Sequence, residues 1–220
     1  MDFMEYFPIY NRLSEKEKLL ISSSAVFRKI KKGTVIHGGA CDCMGLVLII
    51  SGQLRAYIVS DEGKEVTIYR LLDRDICLLS ASCMMPSIQF DVSVMAEKDT
   101  EAWIIPIEVY KPLMKSSAQI ANYTNDLLCT RFTEVMWLVE QILWKSFDRR
   151  LASFLIEECN IEKTLTLHIT HEQIASHLGK AREVVTRMLK YFHNEGIVNL
   201  TRGAVIVTDM NKLNKIAASH

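Results

Sequence analysis

Apolar positions along the chain change their period twice, and each change predicts a different kind of structure. Positions 14–25 read as a helix. Short strand-forming runs then follow closely at 26–30, 45–50, 53–59, 66–71, 90–96 and 101–105. Turns at Lys32-Gly33, Gly38-Gly39, Ser51-Gly52 and Asp61-Glu62-Gly63 separate them. Many short strands joined by glycine turns predict a sandwich or jelly-roll barrel. After Pro112 the period turns helical, to about residue 143. Ala121, Asn125, Leu128, Phe132, Val135, Val139 and Ile142 alternate spacings of four and three, which is a heptad seam. Residues 117–143 are therefore expected to form the spine of a homodimer, with Asn125 fixing its register. Trp144 to Asp148 reads as a hinge, with Ser146 or Asp148 capping a helix to about residue 159.

The last third changes pattern again. Thr170 and Gln173 form a capping-box signature, and Ile174, Ala175 and Leu178 give the helix after it an apolar face. Gly179 suits its C-terminus. A second helix is expected over 181–192. Val184, Val185, Met188, Leu189 and Phe192 are expected inside, and Arg182, Glu183, Thr186, Arg187 and Lys190 outside. Gly196 ends it, and β-rich 197–200 and 204–207 flank a turn at Arg202-Gly203. Asp209 is placed to cap a final helix to about residue 218. Helix, turn, helix and hairpin in this order predict a winged helix-turn-helix, which lays its second helix in the DNA major groove. Arginine can bond guanine bidentately and Glu183 can accept from cytosine. Thr170 and His171, at the start of the first helix, are placed for phosphate.

Composition bounds this picture without supplying it. A chain of 220 residues fits two modest domains. Formal net charge is zero. Residues 146–220 carry ten Lys and Arg against eight Asp and Glu, or +2; residues 1–145 carry sixteen against eighteen, or −2. So weak a bias would not by itself indicate nucleic acid. The start has no basic segment before an apolar run, and the longest apolar run, 46–50, is far too short to span a bilayer. A cytoplasmic protein without membrane contact is expected, its six cysteines reduced. Five of six histidines lie at or beyond residue 168, so protonation can alter DNA affinity.

Ile174-Ala175, Leu178-Gly179, the run Arg182 to Leu189, and Gly196 together resemble the C-terminal domain of the Crp/Fnr transcription regulators. The second-helix signature, roughly G-x-x-R-E-x-x-x-R-x-L, carries that resemblance. It implies Arg182, Glu183 and Arg187 as base-reading residues, and Thr170 and His171 as phosphate contacts. Ala181 departs from it, standing where many members have a hydroxyl residue on phosphate. Gly52-Gln53-Leu54 and Gly63-Lys64-Glu65 look like turns of the family's sensory β-roll. The implied fold is α+β: an N-terminal jelly roll of the cyclic-nucleotide-binding type (1–110), a dimerisation helix and hinge (111–145), and a winged helix-turn-helix (146–220).

Three function classes compete. The leading one is a dimeric regulator of a palindromic operator, gated by a small effector in the β-roll and touching RNA polymerase if it activates. The expected pocket is Cys77, Leu78, Leu79, Cys83, Phe90 and Val92, facing Asn125, Leu127 and Leu128 of the long helix. Cyclic-nucleotide-binding relatives hold ribose with Gly-Glu and phosphate with Arg-Ser or Arg-Thr, where this chain has Leu78-Leu79 and Phe90-Asp91. No arginine lies between Arg74 and Arg131. A buried cyclic phosphate would lack its cation, so a non-nucleotide effector with an apolar body is expected. The second class is redox, metal or haem sensing through Cys77 and Cys83 or Cys41 and Cys43. Residues 1–40 lack the cysteines of the family's iron–sulfur members, and Leu79 stands where its carbon-monoxide-sensing haem member has histidine. The third class is a jelly-roll enzyme. His37 is the lone histidine of the roll, and no nucleophile, phosphate-loop or zinc-protease motif occurs, so no catalytic or metal residue is expected.

Overall fold

The computed structural model describes residues 3–38, 44–78 and 92–218. Two compact units divide the chain: one holds 1–59 and 68–136, the other 60–67 and 137–220. Cys41, Cys43, Leu79, Cys83 and Phe90 lie outside the described residues, and with them both expected cysteine pairs in whole or part.

The first unit opens with helix α1 (Glu15–Ser24). Its capping box closes when Ser14 Oγ accepts from the Glu17 amide and Glu17 Oε2 accepts from the Ser14 amide at 2.7 Å. Strands β1 (Val26–Ile30), β2 (Val35–Gly38), β3 (Leu46–Ser51), β4 (Leu54–Val59), β5 (Glu65–Leu71), β6 (Ile76–Cys77), β7 (Ser93–Ala96) and β8 (Thr100–Ile105) follow. They form two four-stranded sheets, ordered β1-β8-β3-β6 and β2-β7-β4-β5. Six of these strands match the expected runs; β2 and β6 do not. β6 has two residues, too few to show a period. Val35 of β2 is exposed and His37 buried, which breaks the apolar pattern.

β3 explains the layering. All of Leu46 to Ile50 is buried. Because strand side chains alternate, Val47 and Ile49 enter the core between the sheets with Leu54, Val94, Ala102 and Ile104. Leu46 and Leu48 enter a second core against Phe7, Ile21, Tyr110, Leu113 and Ile120. Helices α2 (Ile107–Ser116) and α3 (Ala118–Trp144) supply part of that layer. One continuous helix from Pro112 was expected, but the structure breaks it at Ser117. That residue is extended, and its Oγ accepts from the Ile120 amide, so it caps α3 as a new helix start. Tyr110 Oη and Thr124 Oγ1, 2.8 Å apart, tie α2 to α3 across the break.

In the second unit come α4 (Phe147–Glu162), β9 (Thr166–Leu167), α5 (His171–Leu178), α6 (Arg182–Asn194), β10 (Val198–Thr201), β11 (Ala204–Val207) and α7 (Met210–Ala218). Ser146 occupies the position before α4 but makes no side-chain cap bond, contrary to expectation; Asp148 lies inside the first turn. Asp209 does cap α7, accepting from the Lys212 amide at 2.9 Å. β9 was not anticipated. It pairs with β11 and widens the hairpin to a three-stranded sheet, β10-β11-β9. Leu151, Leu155, Leu167, Ile174, Val185, Leu189, Phe192, Val205 and Leu213 build the core.

Leu48, 1% exposed, sits where the helix layer meets the sheet. Leu48→Ala should cost about 2–5 kcal/mol of unfolding free energy. Ile58→Ala, at a 40% exposed site, should cost under about 1 kcal/mol. Urea unfolding followed by circular dichroism measures both, and equal losses would refute the two-sided burial of β3.

Candidate nucleic-acid interface

α5 begins with the expected capping box. Thr170 Oγ1 accepts from the Gln173 amide at 3.2 Å, and Gln173 Oε1 accepts from the Thr170 amide at 2.8 Å. α5 ends at Gly179 with φ +64, the left-handed conformation that favours glycine. Arg150, largely buried on α4, donates from Nη2 to the Leu178 carbonyl at 2.6 Å and fixes the turn from below. Hairpin residues of this unit touch the turn as well: Val66 bridges Leu178, and Thr67 Oγ1 lies 2.7 Å from His177 Nδ1.

α6 buries Val185, Leu189 and Phe192 and half-buries Met188. Its opposite side exposes Arg182, Glu183, Arg187 and Lys190. None of these four makes a side-chain hydrogen bond or ion pair among the described residues. A charged face on a well-packed helix without internal partners is free to bond something else. Thr186 is half-buried, and its Oγ1 lies 2.9 Å from His171 Nδ1, joining α6 to the start of α5. That contact leaves His171 Nε2 for another partner, so Thr186 acts here as a brace for His171.

One expectation needs correction. Val184 was assigned to the core but is 36% exposed. It directly precedes fully buried Val185, and 100° of helical rotation turns it out beside Arg187. Tyr191, 53% exposed, was not singled out and shares that side. The apolar side chain of Val184 there can meet a thymine methyl. Arg202 at the hairpin tip and Lys180 in the turn are exposed cations that the helix-centred reading passed over.

Comparison with known proteins identifies the architecture. A model of the Crp-like helix-turn-helix domain matches residues 149–216. A solved structure from Eubacterium rectale, described as a transcriptional regulator of the Crp/Fnr family, is 59% identical. It covers 98% of this chain and 100% of its own, with a TM-score of 0.96. The chain belongs to the Crp/Fnr family. It is a dimeric DNA-binding transcription regulator and not an enzyme. Among curated Crp/Fnr-like proteins, it is 25% identical over 210 residues to the cyclic AMP receptor protein of Thermus thermophilus, covering 96% of each. It is 24% identical over 168 residues to the global nitrogen regulator of Synechococcus elongatus, covering 73% of this chain and 75% of that one. No described helix is long and apolar enough to cross a membrane.

In this Crp/Fnr chain the expected effector residues that are described do not all share one surface. Cys77 and Val92 are buried in the core between the sheets. Leu78 turns the other way, into the helix-facing core where Leu127 and Leu128 pack. The alternation along β6 separates the two neighbours. Asn125 is exposed. One premise of the sequence reading is overturned. A cation does reach the edge of the roll, and it comes from the long helix: the Arg131 guanidinium lies 4.8 Å from the Tyr69 ring centroid.

His171 gives the interface a pH signature. Burial first, then the charges of Arg182 and Lys190, hold its imidazole below the ordinary value of 6.5. The folded chain thus binds fewer protons there than the unfolded chain. The contribution to stability is complete above about pH 6.5 and is lost as pH falls through the lower folded value. A phosphate at Nε2 would act oppositely and favour imidazolium. DNA affinity should therefore rise as pH falls from about 8 to 6, and His171→Gln should flatten the slope. Fluorescence anisotropy at fixed ionic strength tests this; a slope unchanged in His171→Gln would remove His171 from the phosphate contact.

Proposed function

We propose that this regulator reads its operator through Arg182, Glu183, Arg187 and Val184 on α6. Thr170, His171 and Lys190 hold backbone phosphate, and Thr186 fixes the angle of His171. The observation that carries this reading is the exposed, internally unbonded charged face of α6 opposite a packed core. Arg202 on the hairpin and Lys180 in the turn are further phosphate contacts. Two copies read a palindrome with half-sites about one helical turn apart. The protein works in the cytoplasm on double-stranded DNA, and as an activator it contacts RNA polymerase beside the operator.

The β-roll gates this activity through a small effector that is not a cyclic nucleotide. Arg131 is the lone arginine between residues 75 and 148, and Glu134 already neutralises it: Arg131 Nη1 donates to both Glu134 oxygens at 2.8 and 2.7 Å. An anion can therefore enter only by displacing Glu134, and the segment where cyclic-nucleotide-binding relatives place their phosphate-holding arginine has none, since no arginine lies between Arg74 and Arg131. The proposed organisation is a sensory roll over 1–110, a dimerisation helix and hinge over 111–145, and a reader over 146–220. Burial along α3 fits the spine: Asn125, Phe132, Val139 and Ile142 are exposed within one chain, and Ala121, Leu128 and Val135 half-buried. Phe132 is 66% exposed, Val139 39% and Ile142 44%, a stripe that a second α3 would cover.

Two outcomes follow. A duplex selected from a random pool should lose about 1–3 kcal/mol of binding in Arg187→Ala, while a scrambled duplex loses far less. Anisotropy at one salt concentration measures both, and equal small losses would remove Arg187 from base reading. Val135→Glu should place charge in the seam and shift the protein from dimer to monomer at micromolar concentration in sedimentation velocity. A variant that stays dimeric would move the interface off this stripe.

A further inference from the structure

Among the described residues β5 ends one sheet and β6 the other, and Tyr69 and Cys77 of these strands share the core between the sheets. Tyr69 of β5 is 7% exposed, with its ring in the core between the sheets beside Cys77 and Leu71. Its buried hydroxyl has no hydrogen-bond partner among the described residues. Arg131 of α3 lies against the same ring. Its Nη2 donates to the carbonyl of Ile76 on β6 at 3.3 Å, so the guanidinium reaches both edge strands. Its Nε is buried and likewise has no partner among the described residues. Two buried donors on neighbouring side chains are therefore unmatched, one of them on a cation. Buried polar groups are nearly always paired, so such a coincidence asks for an acceptor.

We propose that Tyr69 and Arg131 form the polar end of an effector site that takes the carboxylate of a monocarboxylic acid with an apolar body. The assignment rests on the reading that the β-roll binds a small effector, and it names that effector's class. One carboxylate can accept from Arg131 Nε and Tyr69 Oη together, and charge-assisted bonds of this kind are the strong ones. Tyr69 keeps its proton to donate: burial first, then neighbouring Cys77, pushes the phenol well above its usual range. At Arg131 burial opposes the charge most, but the bonds and charge of Glu134 together with Tyr69 and Asp75 outweigh it and the guanidinium stays ionised.

Glu134 decides the charge balance. Beside the Arg131 cation stands the Glu134 carboxylate, and the charge of Asp75 also acts on the guanidinium, so a further carboxylate would leave the site more negative. Glu134's side chain is 37% exposed against 12% for Arg131, so Glu134 is the group that can turn to water. The ligand then replaces an internal anion with an external one. The surroundings favour an otherwise apolar molecule. Leu71, Cys77 and Val92 share the core between the sheets with the Tyr69 ring.

The test uses the full chain and four probes: phenylacetate and hexanoate, with phenylacetamide and hexanamide as uncharged isosteres. Titration calorimetry should give at least roughly tenfold tighter binding for each acid than for its amide. Arg131→Gln should abolish that preference and Tyr69→Phe reduce it. Glu134→Gln should tighten acid binding severalfold, an outcome that a merely structural Arg131–Glu134 pair would not produce. If Arg131→Gln unfolds by circular dichroism, Tyr69→Phe and Glu134→Gln still decide the matter. Amides binding as tightly as acids, with no effect of Glu134→Gln, would leave an effector site in the roll and overturn its carboxylate assignment. No heat from any probe, with Tyr69 resonances unmoved in NMR spectra, would overturn both.

Discussion

Burial of β3 on both faces is the constraint on which the sensory unit depends. A strand with one wet face can slip by two residues and keep its pattern. β3 cannot slip by one, because that would exchange Val47 and Ile49 with Leu46 and Leu48 between two differently shaped cores. Its register against β8 is set where the strand begins: Leu46 pairs Ile105, and Gly45 stands just before it at φ +113. A Cβ on Gly45 would run into the Ile105 carbonyl, so the chain passes there only as glycine. The same strand thus builds the roll and seats the helices, and a change at the roll's edge has rigid neighbours on both sides.

The reader unit resolves an apparent contradiction, that a chain of zero net charge binds a polyanion. Charge placement matters more than the sum. The apolar side of α6 is spent on Val185, Leu189 and Phe192, its first turn is braced by Thr186 and His171, and the turn before it is held by Arg150 and Gly179. Orientation is therefore set by packing and neutral hydrogen bonds. Arg182, Arg187 and Lys190 spend no bonding capacity on the fold and, on the proposed reading, remain for DNA. Affinity built on three helix cations and a few turn and hairpin cations should be strongly salt-dependent.

Much of this was legible in the residues because the signals were local. The box at Thr170, the glycine at 179 and Asp209 each act within four residues of themselves. The misses have physical causes too. β6 and β9, two residues each, carry no period and exist because longer strands offer them a ladder. Ser117 was read through because the apolar period continues across it, although serine is a preferred helix start. Of the two adjacent valines on α6 only Val185 faces inward, because the core there covers a single side of the helix. Arg131 was the instructive error. A sequence search for a cation looked along the roll, whereas the fold brings one to the roll's edge from a helix over fifty residues beyond β6.

That delivery also shapes how an effector could act. Arg131 and Glu134 lie on α3 beside Phe132 and Val135, which belong to the proposed dimer seam. On the carboxylate reading, ligand and partner helix act on the same turn. Turning Glu134 out changes the charge that this turn presents to a second copy. By linkage, a ligand that strengthens association at Val135 must bind more tightly to the dimer by the same factor. Coupling of about 1–3 kcal/mol, a roughly 5- to 150-fold change, would suffice for a switch, and it needs no long path because ligand contact and seam are neighbours on one helix. Reciprocity therefore requires ligand affinity to depend on protein concentration across the monomer–dimer range. Where it does not, the effector must act on some element other than the seam.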